Sequence, residues 1–461
     1  MRMVTALTAI FILIACINVC SSTNQYDSKI LSNMNNSNTA TKLLAFASIA
    51  DRGDAGLDLM ARGFNSDDED FKAFAFIWMN IVEMDNPRAL ELLAESLSGG
   101  DEDTRLLAAL SLGWKRDPAA VDSLIKSLED ESIAVRTLSA ISLGWIRDPA
   151  AVDPLINGLQ DEDDDMRIAC AMALGWIKDP RAVDPLIKSL GDENNAICIS
   201  SAMALGWIRD PRAVDPLING LQDEDDDMRS ACAMALGWIK DPKAVDPLIQ
   251  GLTDESSPLC IAPISLAFIN DTRAIEPMIE LLGSSTCNDD MIAGALAFMG
   301  EPTLYPLIDV LSDIDENPEK RAAAASALGA LGDIRAVDVL IQSLTDDESD
   351  IRASSAKALG DIRDNRSTDA LISALDDEYW FVRSNAAIAL GMIGSSKASD
   401  ALIDHLMYDS DPFVRVSSAE ALGRIGGPKA ADALIQSLQD EESYYVKSKL
   451  SVALKNIVKN M

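Results

Sequence analysis

Histidine is almost missing: the 461-residue chain has one, His405. A single imidazole excludes most zinc and non-haem iron sites, HExxH proteases and Ser-His-Asp hydrolases, which need imidazole as ligand or base. Aromatic residues are scarce at 5%, although hydrophobic residues reach 48%, so aliphatic and Ala side chains dominate the apolar content. Positive charge is also short. Lys and Arg number 39 against 74 Asp and Glu, a net charge of −35. That argues against nucleic acid or anionic lipid as a partner, because neutralising phosphate needs cations. The seven cysteines include no CxxC spacing, so no metal or redox motif is indicated and no cofactor is expected. On neighbouring stacked helices Cys170 and Cys198 would lie roughly 8–10 Å apart, beyond the disulfide range of about 4.4–6.8 Å. Free, buried thiols are therefore expected at the cysteines beyond Cys16, including Cys198, Cys232, Cys260 and Cys287.

Long hydrophobic runs are absent except at the start. Residues 1–15 carry one charge, Arg2, followed by an apolar run from Met3 to Ala15. About 13 residues is too short for a membrane span of roughly 17–25 and suits the h-region of a signal peptide. The run ends in Leu13-Ile14-Ala15-Cys16, which resembles the lipobox of lipoprotein signals. That resemblance implies cleavage before Cys16 and lipidation of its sulfur, hence an exported, envelope-anchored protein; an ordinary secretory signal is the alternative. Residues 16–41 are rich in Asn and Ser without apolar periodicity and read as a flexible tether.

What the chain has in abundance is repetition. Gly-Trp-x-x-Asp recurs at Gly113, Gly144, Gly175, Gly206 and Gly237, each 31 residues after the last, and Pro-x-Ala-Val-Asp follows it. With small insertions the register extends over residues 42–461 as about thirteen units. Length alone suggests about three domains; the repeat replaces that with one long repeat domain. Within a unit, Met166, Cys170, Leu174 and Ile177 fall on one helical stripe, and Val183, Leu186, Ile187 and Leu190 on a second. Gly175 and Lys178-Asp179-Pro180 punctuate the first helix, with Asp179 a natural N-cap and Pro180 at home in a first turn. Two helices of about 11–12 residues per unit predict an all-α solenoid, since one pair cannot bury its apolar face alone.

Stretches such as Arg352-Ala-Ser-Ser-Ala-Lys-Ala-Leu-Gly-Asp-Ile and Asp179-Pro-Arg-Ala-Val-Asp-Pro-Leu-Ile resemble the HEAT-like repeats first named for phycobilisome (PBS) lyases. The resemblance covers some 420 residues and implies an α-solenoid (superhelix) with first helices convex and second helices concave. It implies little about function, because such repeats host unrelated roles. Some relatives attach bilins to antenna proteins; others hold iron with His-Glu motifs, which one histidine cannot supply.

Three features remain as functional candidates. Acidic turns such as Asp161–Asp165 and Asp223–Asp227 precede first helices, where carboxylates satisfy free N–H groups and suit the helix dipole. Arg105, Arg136, Arg167, Arg229, Arg352, Arg383 and Arg415 recur once per unit and are expected to pair with those acids; Cys198 and Cys260 interrupt them. Small residues on the second helices, Ser127, Gly158, Ser189, Gly220 and Gly251, leave room for a peptide groove. His405 reads as an exposed surface residue.

The third feature is the sharpest. Trp114, Trp145, Trp176, Trp207 and Trp238 form a ladder, continued by Phe268 and Phe298 and backed by Met172, Met203 and Met234. Later units place Ala330, Asp361, Met392 and Arg424 at the aligned position, with Lys357, Ser354, Glu420 and Ser417 behind, a wet face. Three readings stand: each Trp packs over its neighbouring repeat, the strip binds a protein partner or a second copy, or it stacks on a glycan. The sequence thus points to an exported, membrane-anchored, non-catalytic scaffold for protein partners. The alternative is a lyase-like or chaperone-like factor acting on a tetrapyrrole-bearing protein.

Overall fold

The computed structural model describes residue 57 and residues 87–460 apart from 255, 285 and 442. The signal segment 1–15, the lipidation candidate Cys16, the tether 16–41 and the repeat elements before residue 87, residue 57 apart, lie outside the described residues. Among these residues the regular structure is helical, twenty-four α-helices joined by short turns. The chain divides between Pro216 and Leu217 into two compact units. The first holds α1 (Pro87–Gly99), α2 (Glu102–Lys115), α3 (Val121–Lys126), α4 (Ile133–Ile146), α5 (Val152–Gly158), α6 (Asp164–Ile177), α7 (Val183–Ser189) and α8 (Asn195–Ile208), and α9 (Val214–Gly220) carries the division. The second holds α10 (Asp226–Ile239), α11 (Val245–Leu252), α12 (Ala262–Ile269), α13 (Ile275–Glu280), α14 (Asp289–Met299), α15 (Leu304–Ser312), α16 (Pro318–Leu331) and α17 (Val337–Ser343). It continues with α18 (Ser349–Ile362), α19 (Thr368–Ala374), α20 (Trp380–Ile393), α21 (Ser399–Tyr408), α22 (Pro412–Ile425), α23 (Pro428–Asp440) and α24 (Tyr444–Asn460).

Each unit is an α-solenoid. In the first, α2, α4, α6 and α8 pack in succession; in the second, α10, α12, α14, α16, α18, α20, α22 and α24 do the same. The shorter helices form a second layer against them. Helix α6 shows why the sequence folds this way. Asp163 accepts a hydrogen bond from the Met166 amide at 3.1 Å, closing the helix start. Met166, Cys170 and Leu174 are then buried on one stripe.

The helix end departs from the punctuation expected of Gly175. That glycine lies inside α6, and the chain reverses at Lys178, which takes a left-handed φ of +63°. A Cβ on Gly175 would stand 2.7 Å from the Ala204 Cα on α8, so glycine is there for helix approach, not for turning. The second helices also differ from expectation. Asp179 caps a 3-10 turn, Pro180–Ala182, and the α-helix proper, α7, is only seven residues. Pro185 falls in the first turn of α7, where its missing N–H costs nothing.

Two expectations about small residues and thiols are corrected. Ser127 and Ser189 are buried, and a Cβ on Gly158 or Gly220 would meet the Sγ of Cys170 or Cys232 at 2.5 Å. Those small positions make room for the neighbouring core and do not open a groove. Cys260 and Cys287, read as free, form a disulfide with Cα atoms 5.4 Å apart. The eight-residue α12 starts at Ala262 and α14 starts at Asp289, so both cysteines stand in the turns before these helices and not on packed helices. Cys170, Cys198 and Cys232 are buried thiols outside any disulfide, as expected. Burial, with the charge of Asp161, pushes the Cys170 thiol up to about 12.

Candidate interaction surface

The turns before the first helices are an ion-pair ladder, and the expected arginines carry most of it. In the first unit Arg105 meets Asp130 at 2.8 Å, while Arg136 meets Asp161 and Arg167 meets Asp192, each at 3.4 Å. In the second, Arg352 meets Asp377 at 2.6 Å, Arg383 meets Asp409 at 2.8 Å and Arg415 meets Glu441 at 3.0 Å. Arg321, not foreseen, joins them through Asp346. Arg136, Arg167, Arg352, Arg383 and Arg415 also donate to the carbonyl six residues before them, as Arg167 does to Asp161 at 2.8 Å and Arg383 to Asp377 at 3.0 Å. Cys198 keeps that last bond, its Sγ donating to the Asp192 carbonyl at 3.2 Å. Arg229 keeps the backbone bond, to the Asp223 carbonyl at 3.1 Å, but reaches Asp226 and Ser257 in place of a cross-repeat acid.

A second ladder was not foreseen. Arg181 bridges Asp153 of the preceding repeat at 3.1 Å, its own Asp179 at 2.9 Å and the Pro149 carbonyl at 2.8 Å. Arg212 repeats this with Asp184, and in the second unit Arg273 does so with Asp246 and Arg366 with Asp338. The Arg181 guanidinium holds Asp179 below the usual carboxylate range, and Arg212 does the same to Asp210. The signal was the basic residue after Pro in Asp-Pro-Arg-Ala-Val-Asp, which pairs across repeats only once the turns are stacked. Much of the acidic excess in these turns is therefore structural. Among the described residues no group of three His, Cys, Asp or Glu could hold a metal ion.

His405 is not the exposed residue expected. Its side chain is 17% exposed, and its Nδ1 lies 3.1 Å from Asp409, the partner of Arg383. The i, i+4 spacing from Asp409 was legible; the burial came from packing.

The Trp ladder occupies the ends of the first helices. Trp114, on α2, is 63% exposed. Trp145, Trp176 and Trp207 are half-buried, as are Met172 and Met203 behind them. Trp176 and Trp207 stack at 6.2 Å with planes 22° apart. Each also occupies the space left by a glycine: a Cβ on Gly144 would stand 2.8 Å from Trp176, and one on Gly175 the same distance from Trp207. Those two indoles therefore cover the neighbouring repeat with one side while remaining partly open on the other. In the second unit Trp238 and Met234 on α10 are half-buried, and Phe268 meets the exposed Phe298 edge-on at 5.7 Å. Ala330, Asp361, Lys357 and Arg424 are exposed, as expected of a wet face. Ser417 is not: it is buried and bonds Ser384 at 2.7 Å.

A second aromatic group was missed. Trp380, Phe413 and Tyr445 begin α20, α22 and α24 and are 44%, 51% and 51% exposed. Their rings touch in series, at 5.3 Å and 6.4 Å between centroids. They lie one repeat-step apart but at helix starts, outside the Gly-Trp motif that marks the helix ends.

No curated protein matches the sequence. Among solved structures, the fold is similar to the Kap95:Nup1 complex (TM-score 0.59, 13% identity, 90% of this chain and 67% of that one). It is also similar to Kap121p bound to the extreme C-terminus of the protein phosphatase Cdc14p (0.54, 15%, 89% and 54%) and to yeast importin-beta, Kap95p (0.53, 14%, 93% and 66%). The chain thus spans about half to two thirds of the length of these solenoids. At such identities the likeness shows the fold alone. HEAT repeats themselves are matched in six overlapping segments, residues 90–167, 121–202, 199–262, 215–300, 304–391 and 368–455. Stacked helix pairs, packing glycines and cross-repeat arginines over most of its length make this chain a member of the HEAT-repeat family.

Proposed function

We propose that this protein is an exported, lipid-anchored HEAT-repeat scaffold that binds protein partners without chemistry of its own, through the Trp–Met strip of its early repeats. The observation that carries the reading is Trp114, 63% exposed at the head of a row of half-buried indoles and thioethers. Large exposed indoles are uncommon on a surface and frequent among binding hot spots. The solenoid neighbours of similar fold include one in complex with Nup1 and one bound to a segment of Cdc14p, in keeping with a protein-binding role. The Cys260–Cys287 disulfide supports an oxidising compartment, since such bonds are rare in the cytosol.

A photo-crosslinking residue placed at position 114 or 145 tests the strip, with position 424 as the polar control at the aligned place. Distinct adducts from 114 and 145 are expected; the same adducts from all three positions would remove the assignment. The anchor has its own test. Cys16→Ser should abolish labelling by a clickable palmitate analogue and shift the protein from the detergent phase to the aqueous phase. Unchanged labelling would exclude Cys16 as the acceptor.

A further inference from the structure

We propose that the aromatic row at the starts of α20, α22 and α24 docks an extended, cationic polypeptide segment with Lys or Arg at alternate positions. The inference rests on the scaffold reading only in requiring a polypeptide partner; it uses a different surface.

Trp380, Phe413 and Tyr445 form a continuous exposed row, and each follows an acidic turn: Asp376–Glu378, Asp409–Asp411 and Asp440–Glu441. The cations of that region do not face outward. Arg352, Arg383 and Arg415 turn onto Asp377, Asp409 and Glu441, and Lys447, two residues past Tyr445, is half-buried. Asp376 and Glu378 keep side chains 86% and 76% exposed to solvent, although His405 Nε2 lies 3.6 Å from Asp376 and Arg352 lies 3.8 Å from Glu378. Open rings beside open carboxylates favour a positive ligand, because the ring face and the acid attract the same charge. The region already accommodates one cation this way: the Arg352 guanidinium lies 5.5 Å from the centre of the Tyr379 ring.

Spacing narrows the ligand further. An extended chain presents residues i and i+2 on one face about 6.7 Å apart, close to the ring-to-ring steps of 5.3 and 6.4 Å. The geometry suits a sugar chain poorly, since the rings are tilted 31° and 61° to one another and offer no common stacking plane. A second copy of the chain would bring a like acidic border and a net charge of −35, so self-pairing meets like-charge repulsion. Nucleic acid meets the same obstacle.

The test uses a fluorescein-labelled twelve-residue peptide of alternating Arg and Ser, followed by anisotropy at about 150 mM salt, where diffuse attraction is largely screened. The full-length protein should bind it at least about tenfold more tightly than a Trp380→Ser, Phe413→Ser, Tyr445→Ser variant, the scale of losing ring–cation contacts worth about 1.4 kcal/mol. The conservative Trp380→Phe, Tyr445→Phe variant should keep most of the affinity, and a Gln-for-Arg peptide should not bind. Equal binding by wild type and the triple-Ser variant would overturn the proposal, as would preference for cellohexaose or a dimer abolished by the triple substitution. Crosslinking from positions 114 and 145 is untouched by any of these results, so failure here and failure of the Trp–Met strip are separable.

Discussion

Two glycine-to-alanine substitutions in first helices of the second unit should shift stability in opposite directions. By helix propensity alone both should stabilise, by about 0.5–1 kcal/mol. Gly294, in α14, has nothing within 4 Å of where a Cβ would stand, so Gly294→Ala should deliver that gain. Gly391, in α20, faces the backbone of α22, and a Cβ there would lie 2.6 Å from the Ala421 Cα and 2.8 Å from its Cβ. Backbone cannot rotate aside as a flexible side chain can. Gly391→Ala must push two helices apart, and overpacking of this kind costs about 1–3 kcal/mol, more than propensity returns. Urea unfolding followed by circular dichroism measures both. A rise in midpoint for Gly391→Ala would show that the close helix approach is not what holds glycine at this place in the repeat.

Arg383→Met should be among the most damaging single changes in the turn ladder. Arg383 donates through Nε and Nη2 to Asp409, each at 2.8 Å, and the Asp409 side chain is 3% exposed. Removing the cation leaves a buried carboxylate with only the Asp411 amide and His405 for company. Breaking a buried pair from one side costs about 3 kcal/mol. Asp409→Asn in the same chain should recover part of the loss by removing the stranded charge.

The same pair sets an acid dependence. Burial pushes the Asp409 carboxyl up, but hydrogen bonds from Arg383, the Asp411 amide and His405 outweigh it and hold it below its ordinary value. Asp377 beside Arg352 behaves likewise. A carboxyl lowered in the folded state contributes stability above its unfolded value of about 3.9, and that contribution fades as pH falls through the folded value. The wild-type midpoint should therefore hold its share from this pair at neutral pH and lose it below about pH 4. In Arg383→Met only the Asp411 amide and His405 are left to oppose burial, so this acid loss should shrink, and where burial prevails the midpoint should instead rise as pH falls through the raised value. Parallel acid profiles for the two proteins would remove Asp409 as the cause.

Much of the architecture was legible because a repeat writes the same physics many times. The spacing of Met166, Cys170 and Leu174, the cap at Asp179 and the once-per-unit arginines each carry a local reason that survives folding. Where a repeat was irregular, local reasoning broke down. Cys260 and Cys287 sit in the turns before α12 and α14, where the helix spacing that kept Cys170 and Cys198 apart does not apply. The candidate surface was half legible. The Gly-Trp ladder is a sequence motif, whereas Trp380, Phe413 and Tyr445 share no motif and meet only because α20, α22 and α24 start side by side.

The sequence by itself determined the class of fold, the period, and the location of the acidic charge, all consequences of periodicity and short-range capping. Tertiary structure alone decided which groups face one another. It placed glycine under a neighbouring helix and turned Ser189 and Gly158 inward. It matched Arg181 to an aspartate twenty-eight residues away and left Trp114 open where Trp176 and Trp207 are half-buried. Those outcomes depend on contacts between repeats, whose distances follow from how closely two backbones approach and not from the order of residues along either one.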